Sequence, residues 1–185
     1  MLSSQSKTPN LVMTVYPALF IALIIVGSYI SVPIPIGPVP IALADFFVML
    51  TGFFLGGKYG LLSVVLYLGL GVIGLPVFSN GGSGLAFLLG PTGGFLIGYV
   101  LLAATIGFLT DRERSTFLLD VVAVLLGNIL LYGVGITWLK MTLELSWSAA
   151  FAAGFLPFLP GTIVKIIVVL IISRRVVPGF KEKMR

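Results

Sequence analysis

The sequence predicts an all-α integral membrane protein, a bundle of six short transmembrane helices with both termini on the cytoplasmic side. Three observations carry that prediction. Of 185 residues, 58% are hydrophobic and 9% charged, against roughly 25% charged residues in soluble domains. With a mean hydropathy of +1.18, a soluble chain of this length has no interior large enough to hide the apolar surface. The apolar residues fall into six runs, and the cations are unequally shared between alternate connections.

The first run is Met13 to Ile30. The polar segment before it, residues 1–12, reads as a cytoplasmic tail, because the run exceeds a signal-peptide core and has no small-residue cleavage site. The second, Ala44 to Gly56, and the third, Gly60 to Leu75, are shorter than the about 20 residues a lone span needs. One re-entrant hairpin with four full spans is the alternative. The fourth and fifth are Gly93 to Leu109 and Phe117 to Leu139. A last stretch starts at Ala149, breaks at Pro157 and Pro160, and resumes from Gly161 to Val177. The membrane domain thus covers 13–177, and residues 178–185 form a basic tail.

If every run crosses once, nine of the eleven Lys and Arg residues share the N-terminal side: Lys7, Lys58, Arg112, Arg114, Arg174, Arg175, Lys181, Lys183 and Arg185. Lys140 falls on the other side and Lys165 inside the last run. Cations near helix ends stay cytoplasmic, so the chain is expected as a multi-pass protein of the cell membrane, surrounded by lipid, with an even number of crossings.

Composition removes several function classes. The net charge of +5 is not gathered into a patch with stacking aromatics, so nucleic acid is not an expected partner. With no Cys and no His, disulfides, thiolate metal sites and the usual general base are absent, and neither metal nor cofactor is expected. An intramembrane enzyme needs a nucleophile with a base, or a carboxylate cluster, and Asp45 is the sole acid clearly inside a run. A channel or structural protein would show polar stripes or a symmetric repeat, and neither appears. Gly52 to Lys58 has the frame of a phosphate-binding loop, but Tyr59 stands where Ser or Thr should hold magnesium.

The outer connections are uncharged and rich in Pro and Gly. Residues 31–40 carry prolines too dense for helix. Residues 75–94 contain Phe78, Asn80, Gly82 and Gly84, then Thr92 and Gly93 opening a helix whose N–H groups suit a carboxylate or carbonyl. Pro157 to Gly161 precedes the last helix. Three irregular loops on one side point to a small-molecule site, against the plainer reading of surface turns. Lys165, an intramembrane cation, needs a partner, and Asp45 lies at comparable depth, so an Asp45–Lys165 pair bordering a polar pocket is expected. Asn128 and Tyr132 share a face of the fifth helix; inter-helix glue is the alternative for Asn128, and an interfacial anchor for Trp138. Ala18 and Ala22, four apart on the first helix, form a small-residue face that permits close approach of another helix.

The segments Pro33 to Ile41, Gly74 to Phe78, Gly81 to Gly84, Leu89 to Gly98, Tyr132 to Leu139 and Leu156 to Gly161, in order from about Tyr16 to Arg175, resemble the BioY family, the biotin-binding S-components of energy-coupling-factor (ECF) vitamin transporters. The resemblance implies an S-component six-helix bundle that captures biotin beneath the outer loops, as transported ligand rather than cofactor. It implies a transmembrane coupling subunit and a pair of ATPase subunits as partners, with Ala18 and Ala22 on the docking face. The family commonly carries an acid three residues before the lysine of the last helix; here Thr162 precedes Lys165, and Asp45 stands where many members carry Thr. Acid and hydroxyl are thus expected to have exchanged places across the pocket, with Thr162 joining Asn80, Asn128, Tyr132 and Lys165 as polar contacts and Phe78 facing the apolar ring.

Overall fold

The computed structural model describes residues 11–33, 38–110 and 116–183, without the side chains of 11–13 and 181–183. Lys7, Arg112, Arg114, Arg185 and the centre of the first outer loop lie outside the described residues, as do the side chains of Lys181 and Lys183. Among the described residues seven α-helices follow in order: α1 (Leu11–Tyr29), α2 (Ala44–Val72), α3 (Leu85–Leu89), α4 (Gly93–Thr110), α5 (Phe117–Thr142), α6 (Trp147–Gly154) and α7 (Leu159–Lys183). Between α1 and α2, β1 (Ser31–Val32) and β2 (Ile41–Ala42) pair antiparallel, with Ser31 opposite Ala42.

The second and third apolar runs are contained in α2, which is a helical hairpin. Gly56 sits at φ 70°, ψ −172°, a backbone that favours glycine. A Cβ on Gly60 would lie 3.2 Å from the Thr51 carbonyl oxygen and 3.4 Å from the Gly52 Cα, whereas residues eight or nine apart in a straight helix stand about 12 Å apart. The chain therefore reverses at Gly56, and α1, the two arms of α2, α4, α5 and α7 make six passes. By length and apolarity alone, α2, α4 and α5 qualify as spans, and the α6–α7 pair, bent by 50°, adds a fourth. The arms of α2 are about 18 and 24 Å long, each short of the about 30 Å hydrocarbon core.

The end of the bundle at Gly56 is the tip end; the opposite one, where α1 passes to α2, α2 to α4 and α5 to α7, is the loop end. Glycines set the helix spacing. A Cβ on Gly52 would meet the Ala103 carbonyl oxygen at 2.9 Å, one on Gly98 the Leu131 backbone at 3.0 Å, and one on Gly127 a Leu102 methyl at 2.8 Å. Lipid supplies little hydrophobic drive between helices, so this backbone approach is what holds α4 between α2 and α5. Aliphatic side chains face outward instead, such as Leu62 and Leu66 on α2, Val122 and Ile129 on α5, and Ile163 and Ile167 on α7.

At the tip end the buried Asp120 of α5 meets Arg174 of α7 (Nε–Oδ2 2.8 Å), whose guanidinium also lies over the Phe117 ring at 5.7 Å. Phe180 packs on Tyr16 and Phe54 with centroids 4.6 and 5.0 Å away. Lys58 and Arg175 are exposed at this same end, while Lys140 and Trp147 form a cation–π pair at the loop end. The last helix opens two residues earlier than Gly161, with Pro160 in its first turn, where a missing N–H costs nothing.

Candidate functional site beneath the loop end

Asp45 leaves the first turn of α2, and Lys165 the second turn of α7. The Lys165 ammonium donates to Asp45 Oδ1 and Oδ2 at 2.6 and 2.8 Å and to the Ala42 carbonyl at 2.9 Å. The side chains of Lys165 and Asp45 keep 11% and 9% of their surface open. An unpaired charge at this depth costs about 2.5–3.5 kcal/mol on insertion scales, and the pair together with the β2 carbonyl satisfies both. The sequence expectation of this pair thus matches the observed geometry.

Three residues before Lys165, Thr162 shares a 2.6 Å hydrogen bond with the Tyr132 hydroxyl. One turn along α5, Asn128 donates to the Val124 carbonyl (2.8 Å) and to Met49 Sδ (3.6 Å), and Met49 is one turn beyond Asp45 on α2. These six side chains close a ring across α2, α5 and α7. Tyr99 of α4 packs, partly buried, against the core. Above Tyr132 the ring is lined by Phe155 (centroids 5.1 Å) and by Phe95, which stacks on Phe158 at 6.2 Å. At the floor, Asn128 Oδ1 is buried with no hydrogen-bond partner among the described residues. The inter-helix reading of Asn128 therefore accounts for its amide nitrogen and leaves its oxygen unexplained.

The second loop is tied down at the same end of the bundle. Tyr29 donates its hydroxyl to the Pro76 carbonyl, Ser31 Oγ donates to Asn80 Oδ1 at 3.0 Å, and the Gly84 N–H donates to the Gly71 carbonyl at 2.7 Å. Asn80 adopts φ 57° in a 3-10 turn, Ser79–Gly81, and Gly84 adopts φ 84°. Trp138 serves the same cap, its indole N–H donating to the Gly90 carbonyl at 3.0 Å.

Several predicted site residues hold the cap rather than line the ring. Phe78, expected against an apolar part of a ligand, is 0% exposed between Tyr67 and Phe87 (centroids 5.6 and 5.3 Å). Gly71 leaves space for its ring, and it works as a peg. Gly82 makes room for Phe87 in the same way. At the start of α4 Gly93 donates to the Gly90 carbonyl (3.0 Å), and Phe95 and Leu96 donate to the Thr92 carbonyl (3.1 and 3.2 Å), so these three N–H groups already have acceptors. Gly93 is small because the Leu88 carbonyl lies where its Cβ would be. Ala18 and Ala22 are exposed on α1 beside Val15, Leu19 and Val26.

Sequence reasoning passed over Tyr99, Phe95, Phe155, Phe158 and the Ser28–Tyr67 hydrogen bond (2.9 Å). Ser28 and Tyr67 carried a usable signal, a polar group inside an apolar run. The phenylalanines carried none, since an aromatic ring in a membrane helix is ordinary.

A six-pass helical bundle with its polar side chains gathered under a tethered cap at one end defines a membrane protein with a small-molecule site near one membrane face. The same architecture is found in the crystal structure of the S-component for biotin from an ECF-type ABC transporter, with a TM-score of 0.83, 33% identity, and 93% of this chain and 94% of that one covered. The crystal structure of FolT bound with folic acid shares the fold alone, at TM-score 0.60 and 17% identity over 86% and 88% of the two chains. The probable biotin transporter BioY of Lysinibacillus sphaericus is 42% identical over 82% of this chain and 78% of its own length, and the biotin transporter BioY of Thermotoga maritima 41% identical over 85% and 90%. The family model of BioY matches residues 3–182, and the chain belongs to the BioY family.

Proposed function

We infer that this chain is the biotin-capturing S-component of an ECF transporter and performs no catalysis of its own. The observation that carries the reading is the ring of Asp45, Lys165, Thr162, Tyr132 and Asn128 beneath the cap, in a fold shared at 33% identity with an S-component for biotin. Biotin suits such a site: a compact ureido group for a few fixed polar partners, and an apolar ring for Phe95, Phe155 and Phe158. Asp45 stands on α2 and Thr162 on α7, the helix that carries Lys165, which supports an exchange of acid and hydroxyl. Asn80, Gly82, Gly84, Thr92 and Gly93 shape the cap, and Phe78 pegs it.

In this reading the loop end faces outward in the cell membrane and the termini are cytoplasmic, supported by Lys58, Arg174 and Arg175 at the tip end. The exposed Ala18–Ala22 face of α1 suits a helix of the coupling subunit, and the ATPase pair acts beneath it. Isothermal titration of biotin into the purified, ligand-free protein tests the reading, with riboflavin and thiamine as controls. Saturable binding of biotin alone is expected; a folded protein that binds none of the three, or a different one, rejects biotin as its ligand.

A further inference from the structure

We propose that Phe180 is a positioning residue for partner docking: from the end of α7 it holds the tip-end half of α1, and with it the Ala18–Ala22 face, in the attitude a partner helix meets. The two halves of α1 are attached by different means. At the loop end the hold is polar and close. Ser28 shares a buried 2.9 Å hydrogen bond with Tyr67, the Leu43 N–H donates to the Gly27 carbonyl at 3.0 Å, and a Cβ on Gly27 would fall 2.6 Å from the Phe47 ring. Toward the tip end α1 is held by rings. Phe20, 5% exposed, packs on Phe54 of α2 at 5.4 Å, Phe54 on Phe180 at 5.0 Å, and Phe180 on Tyr16 at 4.6 Å, the last two edge to face.

Backbone chemistry is what makes the last ring pair matter. Pro17 lies inside α1 and has no N–H to give to the Met13 carbonyl, so the turn that carries Tyr16 is short of one helical hydrogen bond. Pro178, inside α7, likewise has no N–H for the carbonyl four residues back. Each helix is thus weakened beside the point where it meets the other, and an edge-to-face ring pair, worth about two- to twelvefold in an equilibrium beyond the area it buries, joins them there. Phe180 and the buried Val177, three apart, share the inward face of α7. Residues 178–183, a tail by sequence, thus continue a helix that reaches back to α1. Phe20 falls between Ala18 and Ala22 in sequence and is buried while both alanines are exposed, so a tilt of α1 about its loop-end attachments moves the alanines with it.

The inference rests on the reading of α1 as the face that meets a coupling subunit, and the experiment separates the two. Tagged wild type, Phe180→Ala, Tyr16→Ala, the double replacement and Phe180→Tyr are each produced together with the coupling subunit and the ATPase pair. The coupling subunit retained per tagged chain is measured beside a biotin titration. Phe180→Ala and Tyr16→Ala should each retain about three- to tenfold less coupling subunit, the scale of a lost ring pair, with biotin titration unchanged. The double replacement should lose no more than the larger single one, because both remove the same contact, and Phe180→Tyr, which keeps the ring, should retain the wild-type amount. Full retention by Phe180→Ala overturns the proposal. A parallel loss of biotin binding also overturns it, because Phe180 would then serve general stability. Wild type that retains no coupling subunit overturns the docking reading and this inference with it.

Discussion

A methyl group added at Gly107 would fall 2.6 Å from the carbonyl carbon and oxygen of Gly56, backbone that has nowhere to go. Gly133, on the outer face of α5, has no atom within 4 Å of the same position. Gly107→Ala should therefore cost about 1–3 kcal/mol through overpacking, read as a lowered melting temperature in detergent, whereas Gly133→Ala should melt like the wild type. At this scale the site was partly legible. Asp45 and Lys165 stand out because charge is expensive inside apolar runs, and that cost drives them together. The burial of Phe78 was not legible, because Phe87, Tyr67 and Gly71 surround it only after the loop folds back on α2.

The α2 hairpin depends on one residue for its reversal. Gly56 at φ 70°, ψ −172° admits a β-branched side chain only with strain, about 1–3 kcal/mol for this essentially glycine-only region, and the Gly107 contact leaves no slack to relax it. Gly56→Val should lower the melting temperature by more than Leu62→Val, a change on the exposed outer face of α2; equal melting of the two would mean the turn is not strained. The shortness of the second and third runs was visible in the sequence and left two readings, two passes or one re-entrant hairpin. Gly60 against Thr51 and Gly52 shows the reversal, which both readings share; Gly56 lying against Gly107, one turn from the end of α4, carries the arms from loop end to tip end. The hinge itself carries no unique sign, since Gly52, Gly57 and Gly60 are equally glycine.

For the whole molecule, the predictions concern which end faces which compartment and where a partner subunit docks. The chain has no cysteine, so single replacements report without background. Lys58→Cys and Arg175→Cys, exposed at the tip end, should react with an impermeant maleimide only after cells are opened, and Ser148→Cys, exposed at the loop end, in intact cells. The opposite pattern would invert the proposed orientation. Ala18→Trp with Ala22→Trp should leave biotin titration unchanged and abolish co-purification with the coupling subunit; retained co-purification would move the docking face elsewhere.

By itself the sequence determined that the chain lives in a membrane, how many apolar runs it has and that Asp45 and Lys165 needed each other. Those properties follow from transfer free energies, which are summed residue by residue along the chain and need no fold. Only the tertiary structure decided that Thr162 bonds Tyr132, that Asn128 keeps an oxygen without a partner among the described residues, that the glycines around α4 serve packing, and that Lys165 also bonds the Ala42 carbonyl. These depend on distances between helices far apart in sequence, set by how closely their backbones approach, and no period or spacing encodes that approach.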